Sequence, residues 1–122
     1  MRRVDQSQNV CPIARSLNVF GDGWSLLIIR DAFFGKTRFG EFQESLGVAK
    51  NILSARLKML VDAGILEPVA LGDGTGHSEY VLTAKGKALK PVLAAIRDWG
   101  NAWCELKGQR KRAAVPRFPS KP

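Results

Sequence analysis

The sequence predicts a mainly helical α+β domain whose elements run α-α-α-α-β-β-α. Three observations carry that expectation. Apolar residues recur at helical spacing in successive segments before residue 65, two β-favouring runs flank a glycine-rich stretch at 72–77, and a long apolar stripe follows. With 122 residues, 45% apolar and 25% charged, the chain suits one hydrophobic core, and wholesale disorder is disfavoured.

Pro12 suits the first turn of a helix, where its missing N–H would have had no partner, and Ile13, Leu17 and Phe20 then share a face up to Gly21. Trp24, Leu27, Ile28 and the Phe33/Phe34 pair continue at helical spacing. So apolar a run implies a central helix buried round most of its circumference and stopped by Gly35. The polar Lys36, Thr37 and Arg38 lead into a third helix carrying Phe39, Phe42 and Leu46 before Gly47. In VAKNILSARLKMLVDA, at 48–63, Leu53, Leu57, Leu60 and Val61 stand at i, i+4, i+7 and i+8 and form one buried stripe, with Gly64 after its end. At about 100° per residue the opposite side holds Asn51, Ala55, Lys58 and Asp62, with Ser54 on its flank. This helix therefore has an apolar back and a small, polar, cationic front.

Residues 65–71 and 78–82 are joined by Gly72, Asp73, Gly74, Thr75, Gly76 and His77, the pattern of a hairpin with a mobile tip. Thr83 can cap a last helix in which Leu89, Val92, Leu93, Ile96, Trp99 and Trp103 recur at three- and four-residue intervals, with Pro91 inside it removing one backbone bond and bending it. Beyond Leu106, prolines and six basic residues stand without an acid, which predicts a disordered tail over 107–122, beside a folded domain over 11–106 and an N-terminal arm over 1–10. Four helices, a hairpin and a further helix are the order of a winged helix-turn-helix domain.

Catalysis finds little support. No nucleophile elbow, P-loop or H-E-x-x-H occurs, and the glycines at 72, 74 and 76 lack the spacing of a dinucleotide site. Cys11, Cys104 and His77 are too few for a four-ligand zinc site, so neither an enzyme nor a metal or cofactor is expected. The N-terminal MRRVDQSQN has no apolar region behind it and no window could cross a bilayer, so the expectation is a cytoplasmic protein without a membrane partner.

The net charge of +8 points instead toward a polyanion, and its distribution is informative. Residues 107–122 hold six basic and no acidic residues, whereas 36–58 hold five basic against two acidic and 59–106 four against six. Within the folded part, positive charge therefore concentrates on the third and fourth helices. Lys36, Arg38, Lys50, Arg56 and Lys58 stand where phosphates would be met, while Asn51, Ser54 and Lys58 can read base edges in a major groove. A merely solvated helix face is the alternative for any one of them.

The segments CPIARSLNVFGDGWSLLIIRD at 11–31, RFGEFQESL at 38–46, NILSARLKMLVDAGIL at 51–66 and EYVLTAKGKALKPVL at 79–93, with Trp99 and Gly100, resemble the HxlR family of bacterial winged-helix transcription regulators, relatives of the MarR group. The resemblance implies that the helix after Val48 is a recognition helix, that the hairpin around Gly74 is a wing, and that the first and last helices build a homodimer. It implies double-stranded DNA as partner, with Lys36, Thr37, Arg38, Lys50, Asn51, Ser54, Arg56, Lys58 and the wing residue His77 as candidate contacts, Arg56 partly structural. Ile13, Leu17, Leu93, Ile96, Trp99 and Trp103 would form the dimer interface, hiding a stripe too long and aromatic to leave exposed. Cys11, just before the first helix, would be the place for sensing an oxidant or electrophile, and a small-molecule effector is the related possibility; a buried, inert thiol is the other reading. Cys104 reads as packing at the end of the last helix. Two departures stand out: Ala49 replaces the usual Ser or Thr helix cap, weakening it by roughly 0.5–2 kcal/mol, and the wing offers only His77 as a potential cation. A winged-helix module that binds protein rather than specific DNA is the alternative reading.

Overall fold

Helix α2 (Trp24–Phe33) is the centre of the fold; α1 (Pro12–Phe20), α3 (Phe39–Leu46), α4 (Lys50–Asp62), β2 (Ser78–Leu82) and α6 (Lys90–Trp103) all pack on it. The remaining elements are β1 (Leu66–Ala70) and the single turn α5 (Ala84–Lys87). This computed structural model describes residues 4–104, so the tail expected over 107–122 lies outside them. Mainly helical with one two-stranded antiparallel sheet, the architecture is that of a winged helix-turn-helix domain.

The buried stripes meet as their spacing requires. Ile28 and Ile29 of α2, Phe42 of α3, Leu53, Leu57 and Leu60 of α4, and Leu66 of β1 are all essentially inaccessible to solvent. The turn between α3 and α4 is made by Gly47, whose φ of +64° is left-handed and whose N–H returns to the Gln43 carbonyl at 2.8 Å, while Val48 plugs the core beneath it. Helix α4 starts at the cap position Ala49, which makes no side-chain capping bond, in keeping with the departure noted in the sequence.

The strands pair with Leu66 opposite Leu82 and Ala70 opposite Ser78. On its other side β2 is tied to the lead-in of α3, because the Tyr80 N–H donates to the Thr37 carbonyl at 2.7 Å. The wing tip, expected to be mobile, is closed by its own side chains: Asp73 Oδ1 accepts from the Thr75 N–H and hydroxyl at 3.0 and 2.6 Å, and Thr75 Oγ accepts the His77 N–H at 3.1 Å.

The last helix differs from expectation. Thr83 does cap, accepting the Gly86 N–H at 3.1 Å while its hydroxyl donates to the Gly64 carbonyl, but α5 ends after one turn. Pro91 then sits in the first turn of the separate helix α6, where its missing N–H removes no bond, so it starts a helix rather than bending one. Gly86 lies against the backbone just before β1: a Cβ there would stand 2.3 Å from the Ile65 carbonyl oxygen, so only glycine allows this approach. Leu93 belongs to the buried core, which corrects its expected place in a dimer interface. Cys104, expected to pack, is exposed.

Candidate nucleic-acid interface

Three core leucines hold α4 by its back, and this sets what its front presents. Lys50, Asn51, Ser54, Ala55 and Lys58 are all exposed. Asn51, Ala55 and Lys58 follow one another at four- and three-residue steps along a single face, with Ser54 beside it, and the small Ser54 and Ala55 let the flanking amide and ammonium reach outward. Lys58 Nζ lies 3.2 Å from Asp62 Oδ2, but both groups are well exposed, so the pair is weak and its ammonium can turn to a phosphate.

The remaining candidates divide by placement. Lys36 is half-buried and Arg38 exposed at the start of α3, where Glu41 Oε1 accepts the N–H groups of Thr37 and Arg38 at 2.9 and 3.0 Å. These two backbone bonds, helped by Lys36 and Arg38, hold the Glu41 carboxyl below its ordinary value. The Thr37 hydroxyl donates to Glu79 Oε2 at 2.7 Å, so Thr37 fastens the wing to α3 instead of presenting a free hydroxyl. Arg38 and His77 line one open cleft of about 930 Å³ between α3 and the wing, together with Phe39, Tyr80 and the carboxylates Glu41, Glu44 and Asp73. That acidic lining sets the cleft apart from the cationic front of α4.

Arg56 faces away from that front. It is half-buried, and its Nε lies 3.3 Å from Oδ1 of the nearly buried Asp22. Asp22 also accepts the Ser25 N–H at 2.9 Å and the Ser25 hydroxyl at 2.6 Å at the start of α2. Burial alone would push the Asp22 carboxyl up; the Ser25 hydroxyl and amide, with the Arg56 charge, outweigh it and hold the group below the usual carboxylate value. Folding lowers this pKa. Asp22 therefore contributes stability that is present above the unfolded value of about 3.9 and is lost as pH falls through the lowered one. Denaturant titrations of the parent and Asp22→Asn should show a stability gap at neutral pH that narrows in acid; a gap independent of pH would contradict this. Asp22 and Glu79 were not singled out from sequence, because their partners lie 34 and 42 positions away.

The other expected surfaces are also placed. Ile13 (70% exposed), Leu17, Ile96, Trp99 (62%) and Trp103 (75%) stand out on α1 and α6, two helices that both pack on α2. Cys11 is the N-cap of α1 and exposed in the single chain. Its N–H donates to Asn9 Oδ1 at 2.8 Å, and Arg15 Nη1 binds the Asn9 and Val10 carbonyls at 2.7 and 3.1 Å, bringing a guanidinium to the segment just before it. Among the described residues no group of three or more His, Cys, Asp or Glu could hold a metal, and no helix is long and apolar enough to cross a membrane.

The sequence profile of the HxlR-like helix-turn-helix family matches residues 19–108. An uncharacterized HTH-type transcriptional regulator of Mycobacterium tuberculosis is 37% identical over 91 residues, which are 75% of this chain and 58% of that protein. The chain thus spans less than two thirds of such relatives. The crystal structure of PA1607, a candidate transcription factor, is 51% identical with a TM-score of 0.83 over 98% of this chain and 83% of that one. HypR, described as a redox regulator and solved in its reduced form, is 27% identical with a TM-score of 0.71 over 75% of this chain and 92% of that one.

Proposed function

Since the chain belongs to the HxlR-like helix-turn-helix family, we propose that it is a sequence-specific transcription regulator that binds double-stranded DNA as a homodimer, in the cytoplasm, without a cofactor. The observation that carries this reading is the exposed front of α4, where Asn51, Ser54 and Lys58 stand together on a helix whose back is locked into the core. Asn51 and Ser54 would read base edges; Lys36, Arg38, Lys50 and Lys58 would meet phosphates, which orient the domain without selecting a sequence. His77 would add a contact from the wing, one that its acidic neighbours weaken.

Pairing through Ile13, Leu17, Ile96, Trp99 and Trp103 would set two recognition helices in successive major grooves, roughly 34 Å apart, on a pseudo-palindromic operator. A dimer so placed would repress by obstructing polymerase. Selection from a random DNA pool tests the reading: enrichment of an inverted repeat is the expected result. Failure to enrich any site, under both reducing and oxidising conditions, would contradict it and favour a protein-binding module.

Cys11 is the proposed sensor. Its exposure, its place at a helix N-terminus and the neighbouring Arg15 suit a reactive thiol, and the similarity to a redox regulator supports this use. Peroxide or a quinone is expected to release the parent protein from its operator and leave Cys11→Ala bound. Equal release of both in a gel-shift titration would remove the role.

A further inference from the structure

Arg56 is carried by α4, yet its surroundings are those of a residue working through another. Its side chain is one third exposed, its Nε is buried without a hydrogen bond among the described residues, and the charge it meets is the Asp22 carboxylate, itself only 7% exposed. Asp22 occupies the elbow between α1 and α2. Gly21 closes α1, Gly23 opens α2 with a φ of +90°, and both Asp22 oxygens bind Ser25, which is wholly buried in the first turn of α2. One carboxylate, on the residue that follows the C-cap of α1, therefore ties the first turn of α2 to the side of α4. The three leucines behind α4 fix its depth in the core through non-directional apolar contact. The ion pair adds a directional stop at the elbow.

We infer that Arg56 and Asp22 form a positioning pair that sets the orientation of α4 relative to the elbow between α1 and α2. Arg56 on this account is not a DNA contact. The inference rests on the proposed DNA-binding and dimer reading: α1 carries Cys11 and the exposed Ile13 and Leu17, so a change at the dimer face or at the thiol reaches the recognition helix through this elbow. The sequence preference of the dimer then depends on two residues that touch neither DNA nor the partner.

Simple electrostatics and the positioning role predict opposite signs for one substitution. Asp22→Asn removes a negative charge from a protein that binds a polyanion, which by charge alone should tighten binding; its amide oxygen can still accept the Ser25 N–H. The test uses the full chain and an operator obtained by selection, with Asp22→Asn, Arg56→Gln and the double variant, each first shown to melt cooperatively. Each single variant is expected to bind the operator about tenfold more weakly, within the ordinary range of coupling between sites, with an unchanged salt slope and the double variant no worse than either single one. Binding of Asp22→Asn as tight as the parent or tighter would overturn the inference. So would an Arg56→Gln variant that weakens operator and random DNA alike with a salt slope smaller by about one, the mark of a lost phosphate contact. Amide hydrogen exchange without DNA separates this from a failure of the DNA reading. Both single variants should speed exchange along α4 while α3 is unchanged, and exchange in α4 equal to the parent would overturn the pair whatever the DNA result.

Discussion

Replacing Trp99 and Trp103 together by glutamate is expected to convert the protein to a monomer and to weaken operator binding by about 10²- to 10⁴-fold, the advantage that linking two half-site contacts provides. The expectation follows from exposure. These indoles are 62% and 75% accessible in the single chain, on the same helix face as the half-exposed Ile96, so their loss removes little from the monomer core. An aromatic stripe of this length left in water is unfavourable, and a second copy laid against it by a two-fold axis would remove it from solvent. Four carboxylates facing each other across that axis would instead repel. Sedimentation at several concentrations checks the mass, and titration against the operator checks the affinity. A variant that stays dimeric would place the interface elsewhere.

Leu57→Ala is expected to cost about 2–5 kcal/mol of folding stability, the range for truncating a buried leucine. Leu57 is 1% exposed at the middle of the α4 stripe, between Leu53 and Leu60, which are also fully buried. The cavity would fall directly behind Asn51, Ser54 and Lys58, so the variant should also lose operator affinity at temperatures where it remains folded. Asn51→Ala, on the exposed front, should by contrast change stability by no more than about 0.5 kcal/mol. Equilibrium denaturation of the two variants separates back from front. A loss below about 1 kcal/mol for Leu57→Ala would mean that α4 is not anchored as described.

Residues read by periodicity were legible, because a stripe records which side of an element is dry. Leu53, Leu57 and Leu60 identified the back of α4, and Asn51, Ser54 and Lys58 its front, from spacing alone. The glycine-flanked runs likewise placed both strands. Periodicity does not name the partner that dries a stripe. Leu93 and Trp99 read as one continuous face, yet one closes the core and the other meets solvent. Pro91 is ambiguous in the sequence for a local reason: a proline after a capped turn can bend one helix or begin another, and the short α5, seated through Gly86 against Ile65 and Leu82, decides for the second. The pairs Asp22–Arg56 and Thr37–Glu79 are beyond the reach of spacing because each joins residues that only the folded chain brings together.

The net charge of +8 owes six units to residues 107–122, so charge alone says little about sequence preference. The central claim is that the front of α4 reads bases, and it is tested by the ratio of operator to random-DNA affinity, measured across salt concentration for the parent, Asn51→Ala and Ser54→Ala. Base readout predicts that each substitution lowers the ratio by about 1–3 kcal/mol of discrimination while the salt slope is unchanged. Equal loss on operator and random DNA, or no loss on either, would contradict it.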